Sequence, residues 1–360
     1  MRMGELVGHE RPAALLQRSL VGGHVANAYL FTGEEGLGKT TMALAFGRAL
    51  VCDAPEVQPH EGVYEACGRC RSCYLSLQGN HPHLRLIAPL GEHIRIDQMR
   101  DLRHDVSLTS FAPGRRAYVV TQAQAMTEES ANCILKTLEE PPPGVTLILV
   151  SESPAQLLPT ITSRCLLVRF RPAPAPAVEE LLRHTHGVPA EQAHLLALLS
   201  GGRPGWAVRA AGNPAILQVR TQLLSLLQRL PDAEPVEVFR IAEELRLLAR
   251  ELAPEDASDA TAPSPGAASN ADRLARAQYG PLLDLIRSWF RDLLVLKLAR
   301  AVPLMNNDCA AELAHAASRY SVRRVLDALS AAGRTRFYLS RNANAAMALE
   351  VLAAGMLGEG

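Results

Sequence analysis

One stretch near the start of the chain has the residue types and spacing of a phosphate-binding loop. Residues 33–40 read GEEGLGKT and match the pattern G-x-x-x-x-G-K-[ST] in full. Glycines at this spacing let backbone N–H groups curve around phosphates, Lys39 reaches the β- and γ-phosphates, and Thr40 can ligate Mg²⁺. We therefore predict that ATP with Mg²⁺ binds to the following residues: Gly33, Glu34, Glu35, Gly36, Leu37, Gly38, Lys39, Thr40 and Thr41.

Hydrolysis of a bound nucleotide also needs an acidic residue at the end of a neighbouring strand. The candidate strand covers residues 118–121, and Gln122 and Ala123 follow it. A glutamine cannot act as a general base, and an alanine side chain has no oxygen. The sequence therefore predicts nucleotide binding with weak or absent turnover. Nearby carboxylates lie in predicted helices or at their starts: Asp105, Glu128 and Glu129.

A cysteine cluster has the spacing of a metal site. Cys67, Cys70 and Cys73 form C-x₂-C-x₂-C, and Cys52 lies upstream. Four thiolates make the closed tetrahedral site typical of structural zinc, so we predict Zn²⁺ bound by these four residues. An iron–sulfur cluster fits less well because no Cys-Pro follows the run. Three histidines are rival fourth ligands: His60, His81 and His83.

The elements around these motifs predict an α/β fold. A short apolar run, AYLFT, precedes the phosphate loop as a strand, and a helix is expected over residues 39–50. Apolar strands that alternate with helices are typical of a parallel sheet covered on both faces. Further strands are predicted at 84–88, 117–120, 145–150 and 165–170, and helices near 97–106, 128–140 and 155–161.

After residue 172 the pattern predicts helices alone. We expect an α/β nucleotide-binding domain over 1–172 with a zinc-binding insertion at about 52–80, a small helical domain over 173–212, and a larger helical domain over 213–360. The segment 253–271 reads APEDASDATAPSPGAASNA and is too poor in large apolar residues to form a core, so a flexible loop is predicted there.

Composition excludes several classes of protein. The 37 Lys and Arg residues balance 37 Asp and Glu residues, which argues against a strongly basic protein that coats nucleic acid. No run of about 18 uncharged apolar residues exists, and the first residues lack the apolar core of a secretion signal. Seven cysteines, an odd number, do not suggest a disulfide framework. We expect a cytoplasmic protein.

Two further motifs resemble one family. Residues 132–142 read NCILKTLEEPP, which resembles the LLKxLEEP signature of bacterial clamp-loader ATPases, and residues 162–165 read TSRC, similar to the motif that carries their arginine finger. The phosphate loop, the cysteine insertion and these two motifs follow the family's order over about residues 5–170. The resemblance implies an AAA+ αβα P-loop domain, a small helical lid and an all-α collar domain for oligomerisation.

The resemblance also implies roles for single residues. Arg164 would project as an arginine finger into the ATP site of a neighbouring tau/gamma subunit, and Arg203, in GGRPGW, would contact the phosphates of this chain's own nucleotide. The residues alone favour a different reading of Arg164, a surface arginine that pairs with a glutamate or caps a helix. Gln122 and Ala123 stand where hydrolysing members of the family carry an Asp-Glu pair.

The implied function is that of an ATP-binding stator. It would assemble with tau/gamma and delta subunits in a hetero-pentamer and help to load the sliding clamp on primed DNA for DNA polymerase III, without polymerase chemistry of its own. The alternative is an autonomous AAA+ ATPase that remodels nucleic acid or protein. The missing carboxylates at Gln122 and Ala123 argue against that alternative.

Overall fold

The computed structural model describes residues 2–107, 114–253, 278–300, 302–341 and 343–358. The flexible loop predicted at 253–271 lies outside these ranges from residue 254 onwards. The chain divides into two compact units, Met1–Leu181 with Gly202–Trp206, and Leu182–Gly201 with Ala207–Gly360. The division into domains at 1–172, 173–212 and 213–360 stays a prediction.

The first unit is built around a sheet of five parallel strands, and a separate antiparallel hairpin lies in the cysteine insertion. The strands in chain order are β1 (Ala28–Thr32), β2 (Glu56–Gln58), β3 (Val63–Glu65), β4 (Leu84–Ile87), β5 (Arg116–Val120), β6 (Val145–Ser151) and β7 (Leu166–Arg169). The large sheet has the spatial order β4–β5–β6–β1–β7, and β2 pairs with β3. The predicted α/β class with a parallel sheet is confirmed.

Helices cover the sheet and make up the second unit. Those that begin in the first unit are α1 (Glu10–Val21), α2 (Lys39–Val51), α3 (Arg71–Leu77), α4 (Ile96–Ser107), α5 (Glu128–Glu139), α6 (Pro159–Thr162), α7 (Ala175–His186) and α9 (Pro204–Ala211). The others are α8 (Ala190–Leu199), α10 (Ala215–Arg229), α11 (Val238–Glu251), α12 (Tyr279–Lys297), α13 (Ala310–Arg319), α14 (Val322–Ser340) and α15 (Ala345–Leu357).

The sheet has a hydrophobic core on each face. Successive strand side chains point to opposite faces, so Tyr29 and Phe31 of β1 pack with α1 and α2, whereas Leu30 packs with α4 and α5. All five residues of β1 and all seven of β6 are buried. Strands buried on both faces read as continuous apolar runs, which explains why both were visible in the sequence.

One predicted helix is divided in two. The sequence pattern suggested a helix over 155–161, but the structure has a 3₁₀ turn, Pro154–Gln156, and then the short helix α6. Pro159 is the first residue of α6 and lacks an N–H group, so it cannot continue a preceding helix. A proline at this position starts a new helix, and α6 ends just before Arg164.

The second unit is helical throughout its described residues, as the sequence predicted for this part of the chain. A charged network lies inside it. Arg220 donates to both carboxylate oxygens of Asp308, each at 2.7 Å, and to the side-chain carbonyl of Asn306. The buried carboxylate of Asp292 accepts from the backbone and side-chain nitrogens of Asn306. Within the part of the chain that the structure describes, every helix is too short or too polar to span a membrane.

Candidate nucleotide and metal sites

The phosphate loop joins the end of β1 to the start of α2. Thr32 of β1 lies beside Ser151 of β6, and the N–H of the next residue, Gly33, donates to the Glu152 carbonyl at 3.0 Å. A Cβ at Gly33 would lie 2.7 Å from the Phe170 carbonyl oxygen, so a side chain would clash with backbone. Gly36 and Gly38 have φ of 84° and 86°, the left-handed region that glycine adopts readily. The backbone thus has the curvature that a phosphate cradle requires.

Lys39 is the first residue of α2 and is 8% exposed. Its ammonium donates to the carbonyls of Gly33 and, at 2.6 Å, of Glu34. Burial lowers the pKa of Lys39, and the Glu152 carboxylate is the foremost of the nearby charges that oppose this shift. The ammonium therefore lies over the loop, where a phosphate would supply the negative charge that backbone carbonyls lack.

The other predicted loop residues surround this lysine. Leu37 is buried, Gly36, Gly38 and Thr40 are partly buried, and the side chains of Glu34, Glu35 and Thr41 are exposed. The Gly36 carbonyl accepts from the N–H of Gly205 at 2.8 Å. This contact holds the start of α9 against the loop.

Arg203 lies beside the loop, and its predicted contact with nucleotide phosphates stays a prediction. An added Cβ on Gly36 would be 3.5 Å from the Arg203 Cβ, and the Arg203 guanidinium stacks 5.6 Å from the centre of the Trp206 ring. Arg203 is 9% exposed. A buried arginine whose Cβ lies next to the phosphate loop can supply positive charge to a bound nucleotide.

His9 belongs to this site, although no spacing in the sequence marked it as a ligand contact. Its Nε2 lies within hydrogen-bonding distance of the Leu37 carbonyl, and since a carbonyl only accepts, Nε2 carries the proton. The ring is 1% exposed and meets the Phe170 ring edge-on at 4.9 Å. Its Nδ1 is buried without a hydrogen-bond partner among the described residues. Burial lowers the pKa of His9, so the ring is neutral near pH 7.

The turn after β5 has no carboxylate, as the sequence predicted, but its details differ. The strand ends at Val120, as the predicted strand at 117–120 does, and not at Thr121, whose hydroxyl donates to the Ile87 carbonyl at 3.3 Å. Gln122 is exposed with φ 49°. Ala123 is fully buried in the core, so it does not face a ligand site. The turn after β5 therefore presents Gln122, and not Ala123, to the solvent.

The insertion brings the four predicted cysteines together. The Cys52 sulfur lies 3.6 Å from that of Cys67, 3.8 Å from that of Cys70 and 3.6 Å from that of Cys73. Zinc–sulfur bonds of about 2.3 Å in a tetrahedron place sulfur atoms about 3.8 Å apart. Among the described residues, these four alone form a group of ligands with metal-binding spacing. The donor set and its spacing fit Zn²⁺.

Backbone N–H groups point at the sulfur atoms. Cys67 N–H donates to Cys52 Sγ, Cys70 N–H to Cys67 Sγ and Cys73 N–H to Cys70 Sγ, each at 3.4 Å. Backbone N–H donors lower the pKa of Cys67 to about 6, and the Arg69 N–H has the largest effect. Burial raises the pKa of Cys73. Of the rival histidines, His81 accepts the His83 N–H at Nδ1, and His60 is exposed.

Arg164 follows α6 and pairs within its own chain. Its guanidinium lies 2.5 Å from a carboxylate oxygen of Glu139 at the end of α5, and donates to the Thr160 carbonyl at 2.8 Å. The two charged side chains are 35% and 47% exposed. The alternative that the residues alone suggested, a surface arginine paired with a glutamate, therefore describes the contacts that this chain makes by itself.

Comparison with known proteins identifies relatives in one replication complex. A family model described as DNA polymerase III, delta subunit, matches residues 8–174. The delta' subunit of DNA polymerase III from Bacillus subtilis is 32% identical over 234 residues, which cover 65% of this chain and 68% of that protein. The delta' subunit from Pseudomonas aeruginosa is 36% identical over 208 residues, which cover 57% of this chain and 61% of that protein.

Subunits with another name in the same complex are also similar. The gamma/tau subunit of DNA polymerase III from Mycobacterium tuberculosis is 34% identical over 181 residues, which cover 49% of this chain and 30% of that protein. The matched stretches thus span three fifths to two thirds of the two delta' relatives' own length and less than one third of the gamma/tau relative.

Proposed function

This chain belongs to the DNA polymerase III delta' family, and on that premise we propose that it is an ATP-binding stator of the clamp loader. Its α/β unit is the P-loop AAA+ domain of that family. In this role the chain would help to load the sliding clamp on primed DNA during replication. It would do so within a hetero-pentamer that also contains tau/gamma and delta subunits, held together through the helical collar.

One observation carries the proposal: a complete phosphate loop follows β1, whereas the end of β5 in the same sheet lacks the catalytic acid. The loop from Gly33 to Thr41, with Arg203 beside it, would hold ATP, and Thr40 would ligate Mg²⁺. The turn at Thr121 and Gln122 offers no carboxylate to position a water for attack on the γ-phosphate. Binding without turnover is what a static member of a motor ring requires.

The cysteine cluster would hold one structural Zn²⁺. Cys52, Cys67, Cys70 and Cys73 would fill all four positions of a tetrahedral site, which leaves none for a substrate. The ion would keep the insertion between α2 and β4 folded. It would take no part in nucleotide chemistry.

Arg164 would act in trans, on the ATP of a neighbouring tau/gamma subunit. A guanidinium that reaches the γ-phosphate stabilises charge that develops in the transition state, and such fingers contribute a rate factor of about 10³ or more. Its partly exposed position after α6 lets it meet another chain.

The test is the steady-state ATPase rate of a complex rebuilt with Arg164→Ala. We expect a partial loss of DNA- and clamp-stimulated turnover, because the other tau/gamma sites keep fingers from tau/gamma subunits. The affinity of the isolated subunit for ATP should stay unchanged, since the guanidinium faces the neighbour. Arg103→Ala, at an exposed position on α4, is the matched control, and gel filtration checks assembly. Unchanged turnover in an intact complex would exclude the finger role.

The second candidate, an autonomous ATPase, has one feature in its favour, the intact phosphate loop. It is separated from the stator role by the ATPase rate of the purified subunit with and without primed DNA. Turnover equal to that of the gamma/tau subunits would favour this second candidate and refute the stator.

A further inference from the structure

The surroundings of Arg164 assign a role to a second residue. This inference rests on the proposed finger role. Among the described residues, the Arg164 guanidinium contacts the Glu139 carboxylate at 2.5 Å, the Thr160 carbonyl at 2.8 Å and the Ser163 hydroxyl at 3.4 Å. The Thr160 and Ser163 contacts come from the same short turn as Arg164. Of these described partners, Glu139 is the one on a different helix, so its carboxylate fixes the guanidinium relative to the rest of the domain.

The fold keeps Glu139 in place. It is the last residue of α5, and Ile134 and Leu138 of that helix share one buried core with Ile161 of α6. This packing holds the end of α5 next to the end of α6, and so holds Glu139 next to Arg164. A carboxylate at the C-terminal end of a helix is disfavoured by the helix dipole, and a nearby guanidinium offsets that cost.

We infer that Glu139 is a positioning residue for the arginine finger. An arginine side chain has high rotamer entropy, part of which is lost when a mobile guanidinium engages a phosphate. A finger already held by a carboxylate and a carbonyl has lost much of that freedom before the neighbour arrives, and pre-set geometry of this kind raises the rate of the chemical step. Because the pair is partly exposed, its contribution is modest.

The experiment is a double-mutant cycle in the rebuilt clamp loader. Glu139→Ala should lower the Arg164-dependent part of the stimulated kcat by up to about fivefold, the range of a partly exposed ion pair, and leave KM for ATP unchanged. Glu139→Gln, which keeps an acceptor of the same shape, should fall between Glu139→Ala and the parent. On the Arg164→Ala background, Glu139→Ala should have no further effect.

Glu140→Ala is the matched control, because Glu140 is the next residue and is also exposed. It should leave kcat unchanged. Melting temperatures of all variants check that the domain stays folded, and a purely structural role for Glu139 would lower kcat on the Arg164→Ala background as well.

The outcomes separate this inference from the function on which it rests. If Arg164→Ala lowers kcat but Glu139→Ala leaves it unchanged or raises it, the finger stands and the positioning role is refuted. Additive losses in the double variant also refute it, since Glu139 would then act without Arg164. If Arg164→Ala itself has no effect, both the finger and its positioning residue are excluded.

Discussion

The phosphate loop and the cysteine cluster lie in the same unit but are built in opposite ways. The loop is made of backbone, and two of its groups have partners within the protein: the Gly33 N–H donates to the Glu152 carbonyl, and the Lys39 ammonium donates to loop carbonyls. The cluster is made of four side chains whose sulfur atoms all lie within 4.8 Å of one another, and three of them receive weak N–H···S bonds. The loop is shaped by hydrogen bonds and packing within the protein, whereas the four thiols would be held together by an ion.

The loop is also surrounded by more buried elements than the cysteine cluster is. The loop follows β1, which pairs with β6, and these are the two most buried strands of the sheet. The insertion consists of two three-residue strands and one seven-residue helix, and Tyr74 and Leu77 of that helix are 63% and 55% exposed. A segment that buries so little apolar surface gains little stability from packing. The comparison therefore predicts that loss of zinc unfolds its site, whereas loss of nucleotide does not.

The largest expected effect is that of Cys70→Ser. Structural zinc contributes an apparent binding free energy of about 10–16 kcal/mol in small zinc domains, and this is folding energy. We expect the variant to lose its zinc and the insertion to become open to proteolysis, as measured by metal analysis and limited digestion. Cys133→Ser, which removes a cysteine of α5 outside the cluster, should keep one zinc per chain. Full zinc content in Cys70→Ser would contradict the site.

The next effect is that of Lys39→Ala. Hydrogen bonds to charged groups contribute about 1.5–3 kcal/mol, so nucleotide affinity should fall by about 10- to 100-fold. The melting temperature without nucleotide should not fall, because the substitution also removes a buried ammonium whose pKa is lowered by desolvation. Isothermal titration and thermal melts measure the two quantities, with Lys136→Ala, an exposed lysine of α5, as control. Equal nucleotide affinity in variant and parent would show that the loop does not bind nucleotide through Lys39.

The smallest expected effect is a pH dependence from His9, which holds the Leu37 carbonyl of the loop. Burial lowers the pKa of His9 in the folded chain, so as pH falls below about 6.5 the unfolded chain binds a proton before the folded one. The free energy of unfolding should therefore decrease as the pH drops through this window, by at most about 1.4 kcal/mol per pH unit for one group. Urea unfolding at pH 7.5, 6.5 and 5.5 measures it.

His9→Gln should reduce this slope without abolishing it, because burial lowers the pKa values of His81 and His83 as well. An identical pH dependence in variant and parent would show that His9 titrates alike in both states.

The sequence by itself determined the features that depend on neighbouring residues. The loop motif, the cysteine spacing and the buried strands β1 and β6 are local patterns, and β1 has the predicted bounds. The break at Pro159 is also a local effect, because a proline cannot continue a helix, although the prediction of one helix over 155–161 overlooked it. Turn residues and apolar periodicity are enough to predict such elements because their physics lies within a few residues.

The tertiary structure decided which distant groups meet. Packing of α5 on α6 brings Glu139 to Arg164, the entry to α1 places His9 on the Leu37 carbonyl, and the pairing of β1 with β6 sets Glu152 beside Gly33. The same packing buries Ala123 and leaves Gln122 at the surface, a distinction that their adjacent places in the sequence hide. These contacts join residues 25 to 119 positions apart, and no local pattern encodes them, because side-chain burial fixes them only when the whole core has formed.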